Sequence, residues 1–294
     1  MLPLWTNQPT TNGTVHSTAQ GTAQGTVHGT IQGIHPLDRA IAYGDGVFAT
    51  MRSNGEILFL ADHLARLQQS CARLGFHWQA SNTLMSELTQ LAATYPKHCI
   101  KLIVSRGVGG RGYQAPISVS ATEIVSVSEI PSFYGQWQQT GIRLALSDIR
   151  LGQQPRLAGI KHLNRLEQVL IKSQVLPQGM DDWLVLDSQD NVIESSVANL
   201  FGVKDGIIYT PALHQAGVSG VTREIIIKAL LTLALPQGHT VVVSEFKQDF
   251  LMSCEHVFLS NSLFGVVDVT GIDNQGFAPW PQSAQLRHSL GLSL

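Results

Sequence analysis

The stretch Leu157-Ala158-Gly159-Ile160-Lys161-His162-Leu163-Asn164-Arg165-Leu166-Glu167 sets one lysine behind a short apolar approach. A lysine amine at the lip of an apolar pocket can lose its proton, attack a carbonyl and hold a cofactor as a Schiff base. Downstream, Glu194 opens the run Glu194-Ser195-Ser196-Val197-Ala198-Asn199-Leu200-Phe201. A carboxylate set against a pyridine nitrogen keeps that nitrogen protonated and strengthens the ring as an electron sink. Each residue also has a plainer reading: Lys161 as a surface charge opening a helix, Glu194 as a turn carboxylate.

Three further segments could hold an anion. Ala216-Gly217-Val218-Ser219-Gly220-Val221-Thr222-Arg223-Glu224 is a small-residue loop opening a helix, where backbone N–H groups and the Thr222 hydroxyl suit a phosphate. Ser219 or Thr222 could equally be a simple helix cap. Ser260-Asn261-Ser262 offers more hydroxyls, or an ordinary strand ending. In Asp62-His63-Leu64-Ala65-Arg66-Leu67, Arg66 lies beside an apolar stripe, either facing solvent or turned toward a phosphate, which guanidinium binds well. An amine, a carboxylate and three anion anchors together describe a pyridoxal 5′-phosphate (PLP) site. For a substrate carboxylate the candidates are Arg106 and Arg111, each of which could instead be a strand-edge or loop charge.

These residues need elements to position them. Leu60, Leu64, Leu67, Cys71 and Leu74 recur at helical spacing, and Gly75 stops that helix. Ser81 caps a second helix carrying Leu84, Leu88, Leu91 and Tyr95. Residues 99–106 read as a strand, followed by the glycine-rich loop 107–113, a strand near 124–127 and a break at 131–135. Beyond it, strands are expected near 142–147, 183–187, 198–203, 207–209, 240–244 and 256–260, with helices near 163–176, 222–235 and 282–290. In the first of these helices Leu163, Leu166, Val169 and Leu170 are expected to fix the base of Lys161 against a core. The proportions predict an α+β (mixed α/β) fold with two domains, 1–130 and 136–294, the second carrying Lys161, and a cleft between them. Residues 13–33 repeat a tetrapeptide built on Gly-Thr, poor in charge and in large apolar groups. That segment reads as a loop insertion rather than a metal-binding tract using His16 and His28.

Composition narrows the class. Apolar residues make up 44% of the 294-residue chain, and 19 basic against 21 acidic residues leave a net charge of -2. Such a balance provides no field for nucleic acid or an acidic membrane surface. No histidine pair has the spacing of a helical zinc site beside a carboxylate, so no metal is expected. Cys71, Cys99 and Cys254 read as small buried hydrophobes rather than a disulfide framework. With no apolar run near the length of a membrane span and no basic leader, the expectation is a cytoplasmic protein acting on a small molecule.

With these residues assembled, the chain resembles the fold-type IV PLP enzymes, which include branched-chain and D-amino acid aminotransferases and the bacterial 4-amino-4-deoxychorismate lyases. The matching stretches are Asp38-Arg39-Ala40, Tyr43-Gly44-Asp45-Gly46-Val47-Phe48, 63–67, Ser105-Arg106-Gly107 and Gly109-Gly110-Arg111-Gly112-Tyr113. They continue with Arg150-Leu151-Gly152, 157–167, Asp187-Ser188, Glu194, Ala198-Asn199-Leu200-Phe201, Tyr209-Thr210-Pro211 and Gln215-Ala216-Gly217-Val218. The run around Lys161 and the loop 109–113 resemble the lyases more than the transaminases. The resemblance implies PLP in the cleft between the domains, Lys161 as the Schiff-base lysine and Glu194 at the pyridine nitrogen. It places Arg66, Val221, Thr222 and Ser262 at the phosphate, and implies a homodimer. The activity implied is release of pyruvate and 4-aminobenzoate from aminodeoxychorismate, with transamination of a D- or branched-chain amino acid as the alternative. Two features depart from the pattern: the repeat near the start, and Asn164 and Arg165 where branched-chain aminotransferases carry a tyrosine after the lysine.

Overall fold

The computed structural model describes residues 4–6, 33–110, 112–118, 120–232 and 240–294. The repeat, apart from Gly33, and the candidate Arg111 therefore lie outside the described residues. Contacts divide the chain into two units, Met1–Ile130 with Lys161–Asn164, and Pro131–Ile160 with Arg165–Leu294. The break expected at 131–135 contains this boundary. The lysine segment, expected in the second domain, groups instead with the first unit.

In the first unit the elements are β1 (Leu4–Thr6), α1 (Arg39–Tyr43), β2 (Gly46–Arg52), α2 (Leu60–Arg73), α3 (Asn82–Thr94), β3 (His98–Ser105) and β4 (Thr122–Glu129). The strands form an antiparallel sheet ordered β1-β4-β3-β2. β2 and β3 pair from Gly46 opposite Ser105 to Arg52 opposite Cys99. Alternate residues point to one face, so Ala49 and Met51 on β2 and Ile100, Leu102 and Val104 on β3 can bury together. α2 packs against β2 and buries His63, Leu67, Ser70 and Cys71, while Leu64 is only half-buried. α3 starts as expected, with the Leu84 N–H donating to the Ser81 hydroxyl at 3.1 Å.

The second unit runs α4 (Tyr134–Thr140), β5 (Ile142–Leu146), α5 (Leu166–Ser173), β6 (Asp182–Leu186), β7 (Val192–Ser195), β8 (Asn199–Lys204) and β9 (Ile207–Pro211). It continues through α6 (Val221–Thr232), β10 (Thr240–Ser244), α7 (Gln248–Met252), β11 (His256–Asn261), β12 (Gly265–Ile272), β13 (Gln275–Gly276) and α8 (Ser283–Ser289). Its nine-stranded sheet follows the order β10-β9-β8-β11-β12-β5-β6-β7, with β13 on β12. β7 also pairs back to β8, where Glu194 meets Asn199, so β8, β11, β12, β5, β6 and β7 close into a six-stranded barrel. Closure leaves those strands without free edges, and β6 and β7 are buried at every position. Phe201 and Phe258 stack at 4.7 Å, and Trp280 stacks on Phe258 at 4.9 Å. The architecture is thus a mixed α/β fold with a small antiparallel sheet and a barrel.

All three cysteines are buried and unpaired with one another, as expected. Burial pushes the Cys71 thiol up to about 12 and the Cys254 thiol up to about 11. Among the described residues no helix is long and apolar enough to cross a membrane.

Candidate active site

Lys161 does not open a helix. Its carbonyl accepts the Phe48 N–H at 2.9 Å, His162 pairs opposite Val47, and the Leu163 N–H donates to the Gly46 carbonyl at 3.0 Å. The Asn164 side chain donates to the Gly44 carbonyl at 3.0 Å. Residues 161–164 are thus engaged with the β2 edge and the turn before it, and α5 begins only at Leu166. Gly44 sits at φ +62°, and a Cβ there would meet the Asn164 side chain at 2.5 Å. Only glycine allows that approach.

The helix after the lysine also faces differently from expectation. Leu166 is 76% exposed, with Val169 and Leu170 also exposed. α5 is anchored instead by Ile171, which lies in a cluster with Trp183, Val185 and Ile193. What fixes the lysine's backbone is its pairing with β2, preceded in the chain by the fully buried Ile160. The half-buried Lys161 side chain extends over the Phe48 ring, with Nζ 4.6 Å from the centroid.

Arg66, on α2 in the same unit, is half-buried, and burial pushes its guanidinium down to about 10. One turn earlier on the helix stands His63, 1% exposed. Burial first, then the charges of Arg66 and Lys161, push this imidazole down to about 3, so it is neutral. The reading from sequence assigned it no role. The signal was a polar residue at i−4 and i−8 from the buried Leu67 and Cys71.

Arg106 is built into the first unit. Its Nε donates to Asp45 Oδ2 at 2.6 Å, and its terminal nitrogens donate to the carbonyls of Leu74 and Gly75 at 2.6 and 3.1 Å. Its guanidinium also lies 4.7 Å from the Phe76 ring centroid. These contacts use three of the five donors of the fork to close the end of α2. Arg39 donates to the same Asp45 oxygen at 2.7 Å and to the carbonyls of Gly112 and Tyr113. The loop next to Arg111 is therefore tied to α1.

In the second unit Glu194 is 7% exposed on β7, not on a surface turn. Its Oε2 accepts the Val218 N–H at 3.0 Å. Arg165 carries a charge near it; burial lowers the Arg165 pKa, while Glu194 and Glu167 work to raise it. Asn199 fixes the loop before α6 from both sides: Nδ2 donates to the Val218 carbonyl at 2.7 Å and Oδ1 accepts the Gly220 N–H at 3.1 Å. Val221 and Thr222 begin α6, and the Thr222 hydroxyl lies 3.3 Å from that of Ser262. The nearby strand residue Ser260 has a buried hydroxyl with no hydrogen-bond partner among the described residues.

By their chemistry the residues of the second unit fit the phosphate and ring nitrogen of a phosphorylated pyridine aldehyde. First-turn N–H groups of α6 lack intrahelical acceptors, and two hydroxyls stand beside them, which together suit a phosphate. Glu194 brings a carboxylate of a type suited to a ring nitrogen, and in the first unit Lys161 carries an amine of a type suited to an aldehyde. Among the described residues, no cluster of histidine, cysteine and carboxylate side chains could hold a metal ion.

Comparison with known proteins gives the family. The family model for amino-transferase class IV matches residues 46–272. An aminodeoxychorismate lyase from Vibrio harveyi is 36% identical over 237 residues, covering 80% of this chain and 86% of that protein. A putative branched-chain-amino-acid aminotransferase from Methanocaldococcus jannaschii is 30% identical, covering 81% and 82%. Among solved structures, 4-amino-4-deoxychorismate lyase from Pseudomonas aeruginosa is 34% identical with a TM-score of 0.82, covering 89% of this chain and 96% of that one. The PLP-bound form of a hypothetical aminotransferase from Mycobacterium tuberculosis shares the fold, with a TM-score of 0.73 at 19% identity, covering 88% and 92%. The barrel, the small antiparallel sheet and this match over most of the chain make it a member of the class IV aminotransferase family.

Proposed function

We propose that this chain is a PLP-dependent aminodeoxychorismate lyase, a cytoplasmic homodimer that converts 4-amino-4-deoxychorismate to 4-aminobenzoate and pyruvate for folate synthesis. The observation that carries the reading is the likeness to lyases from two organisms, each along four fifths or more of this chain. Bound PLP would supply an electron-poor ring conjugated to the substrate nitrogen.

The chain's own residues do the rest. Glu194, with one oxygen held by Val218, would keep a proton on the cofactor's ring nitrogen. Arg66, Thr222, Ser262 and the first turn of α6 at Val221 would hold the phosphate. Lys161 would hold the cofactor through its Nζ, and the same amine would be the base that takes the proton from substrate C4. The carbon–oxygen bond to the three-carbon side group breaks at the neighbouring carbon, and the substrate ring becomes aromatic. Aromatisation makes elimination downhill, so placement and proton transfer are what the protein must provide.

The second reading is a transaminase, supported by the 30% identical aminotransferase relative. Product decides between them. Purified protein incubated with chorismate, glutamine and the synthase that aminates chorismate should form 4-aminobenzoate and pyruvate. No 4-aminobenzoate above a synthase-only control sinks the lyase reading, and a keto acid made from a D- or branched-chain amino acid supports the transaminase. Light scattering at twice the mass of one chain would support the dimer.

A further inference from the structure

A buried carboxylate that the reaction does not use ties two elements of the second unit together. Asp182 opens β6 and is fully buried. Its Oδ1 accepts from Lys172 Nζ on α5 at 3.2 Å and from the Ser196 hydroxyl in the turn between β7 and β8. Its Oδ2 is closed to solvent and has no hydrogen-bond partner among the described residues. A buried charge held so incompletely adds little net stability over an apolar side chain of similar volume, and its best-attested use is to fix one arrangement of the chain. The arrangement at stake is that of the turn. β7 and β8 share a single register pair, Glu194 opposite Asn199, so little ladder holds the barrel closed there. Within the turn the Ser195 hydroxyl accepts the Ala198 N–H at 3.0 Å. From outside, Ser196 fastens it twice: its N–H donates to the Trp183 carbonyl at 3.2 Å and its hydroxyl donates to Asp182. The Asn261 amide reaches the Val197 carbonyl only at 3.4 Å.

Both members of that register pair reach the same loop. Glu194 accepts the Val218 N–H, and Asn199 holds the Val218 carbonyl and the Gly220 N–H. We infer that Asp182 is a positioning residue: through Ser196 it sets the turn that places Glu194 and Asn199 on the loop before α6. Lys172 anchors it to the helix that follows Lys161 in the chain. The inference deepens the lyase reading, on which it rests for the consequence in rate. Asp182 acts through Glu194 rather than on the reacting atoms, and a displacement of about 1 Å at such a group costs roughly a hundredfold in rate.

The test separates position from stability. Ser196→Ala removes the tie and keeps the ion pair, whereas Asp182→Leu removes both and leaves a side chain of similar volume. In the full-length, cofactor-free form of either variant, hydrogen exchange at the Val218 and Gly220 amides should quicken about tenfold relative to the β11 amides of Phe258 and Leu259. Asp182→Asn, whose side-chain carbonyl still accepts from Ser196, should restore most of that protection. In the loaded enzyme, kcat for 4-aminobenzoate should fall about ten- to a hundredfold in Ser196→Ala with KM little changed. Exchange at Val218 and Gly220 that stays at the wild-type rate, or that quickens only in step with Phe258 and Leu259, would overturn the inference, because a merely structural carboxylate loosens the whole barrel. So would a wild-type kcat beside selectively faster exchange. Were the wild type to make no 4-aminobenzoate, the exchange rates would still decide whether Asp182 sets Glu194, so its failure is distinct from failure of the lyase reading.

Discussion

Glu194 Oε2 accepts the backbone N–H of Val218 at 3.0 Å, which ties a barrel carboxylate to the loop leading into α6. The same loop pairs with Gly159, whose N–H donates to Gly217 and whose carbonyl accepts from Ser219, two residues before Lys161 in the chain. Glu194→Gln preserves the shape and can still accept from Val218, but it removes the charge. PLP should still bind, while 4-aminobenzoate formation falls roughly a hundredfold, the scale of one lost electrostatic contact to a reacting centre. Wild-type turnover in this variant would remove Glu194 from the proposed role.

Lys161→Ala separates the amine from the backbone that carries it. The Lys161 carbonyl and the Leu163 N–H would keep their bonds to β2, so the melting temperature should change little. Borohydride reduction of the wild type should leave the cofactor's mass on the Lys161 peptide, and the variant should show none. Product formation should fall by about 10² to 10⁴.

Asp45 gathers two arginines on one oxygen, and Asp45→Asn should cost about 3 kcal/mol at neutral pH by leaving both without their anion. Burial raises the Asp45 pKa, but the hydrogen bonds and charges of Arg106 and Arg39 outweigh it and hold the carboxyl below its ordinary 3.8. A depressed carboxyl stabilises the fold fully above the unfolded pKa, and that contribution is lost as pH falls through the folded one. Urea midpoints of the wild type should therefore drop below pH 4. In Asp45→Asn this part of the acid slope should be missing.

Asn199 holds Val218 and Gly220 at once, and sequence reading noted it only as part of a matching run. Asn199→Ala should strand one carbonyl and one N–H at the start of α6. The expected result is PLP affinity lower by about tenfold with a melting temperature lower by a few degrees. Unchanged affinity would show that the loop keeps its shape without the amide.

Periodicity and composition made much of the framework legible. α2 and α3 followed from leucine spacing and the Ser81 cap, and the strands near β3, β4, β5 and β6 from apolar runs. β12 was missed because it is buried on both faces, which erases the alternation that marks a half-exposed strand. β2 was missed because only its first three residues, Gly46-Val47-Phe48, were noted, as the end of a matching stretch.

Residue chemistry alone determined that an amine, a carboxylate and anion-binding loops were present, because those capacities belong to side chains whatever their fold. Tertiary structure decided which of them remained available for chemistry. Arg106, read from sequence as a candidate for a substrate carboxylate or a strand-edge charge, spends three donors on Asp45 and two helix-end carbonyls. The leucines after Lys161 looked like a core stripe until residues 161–164 paired with the β2 region and α5 turned them outward. His63 looked incidental until α2 buried it without a partner. In each case the deciding interaction joins residues far apart in the chain, and a donor's availability depends on partners that local spacing does not reveal.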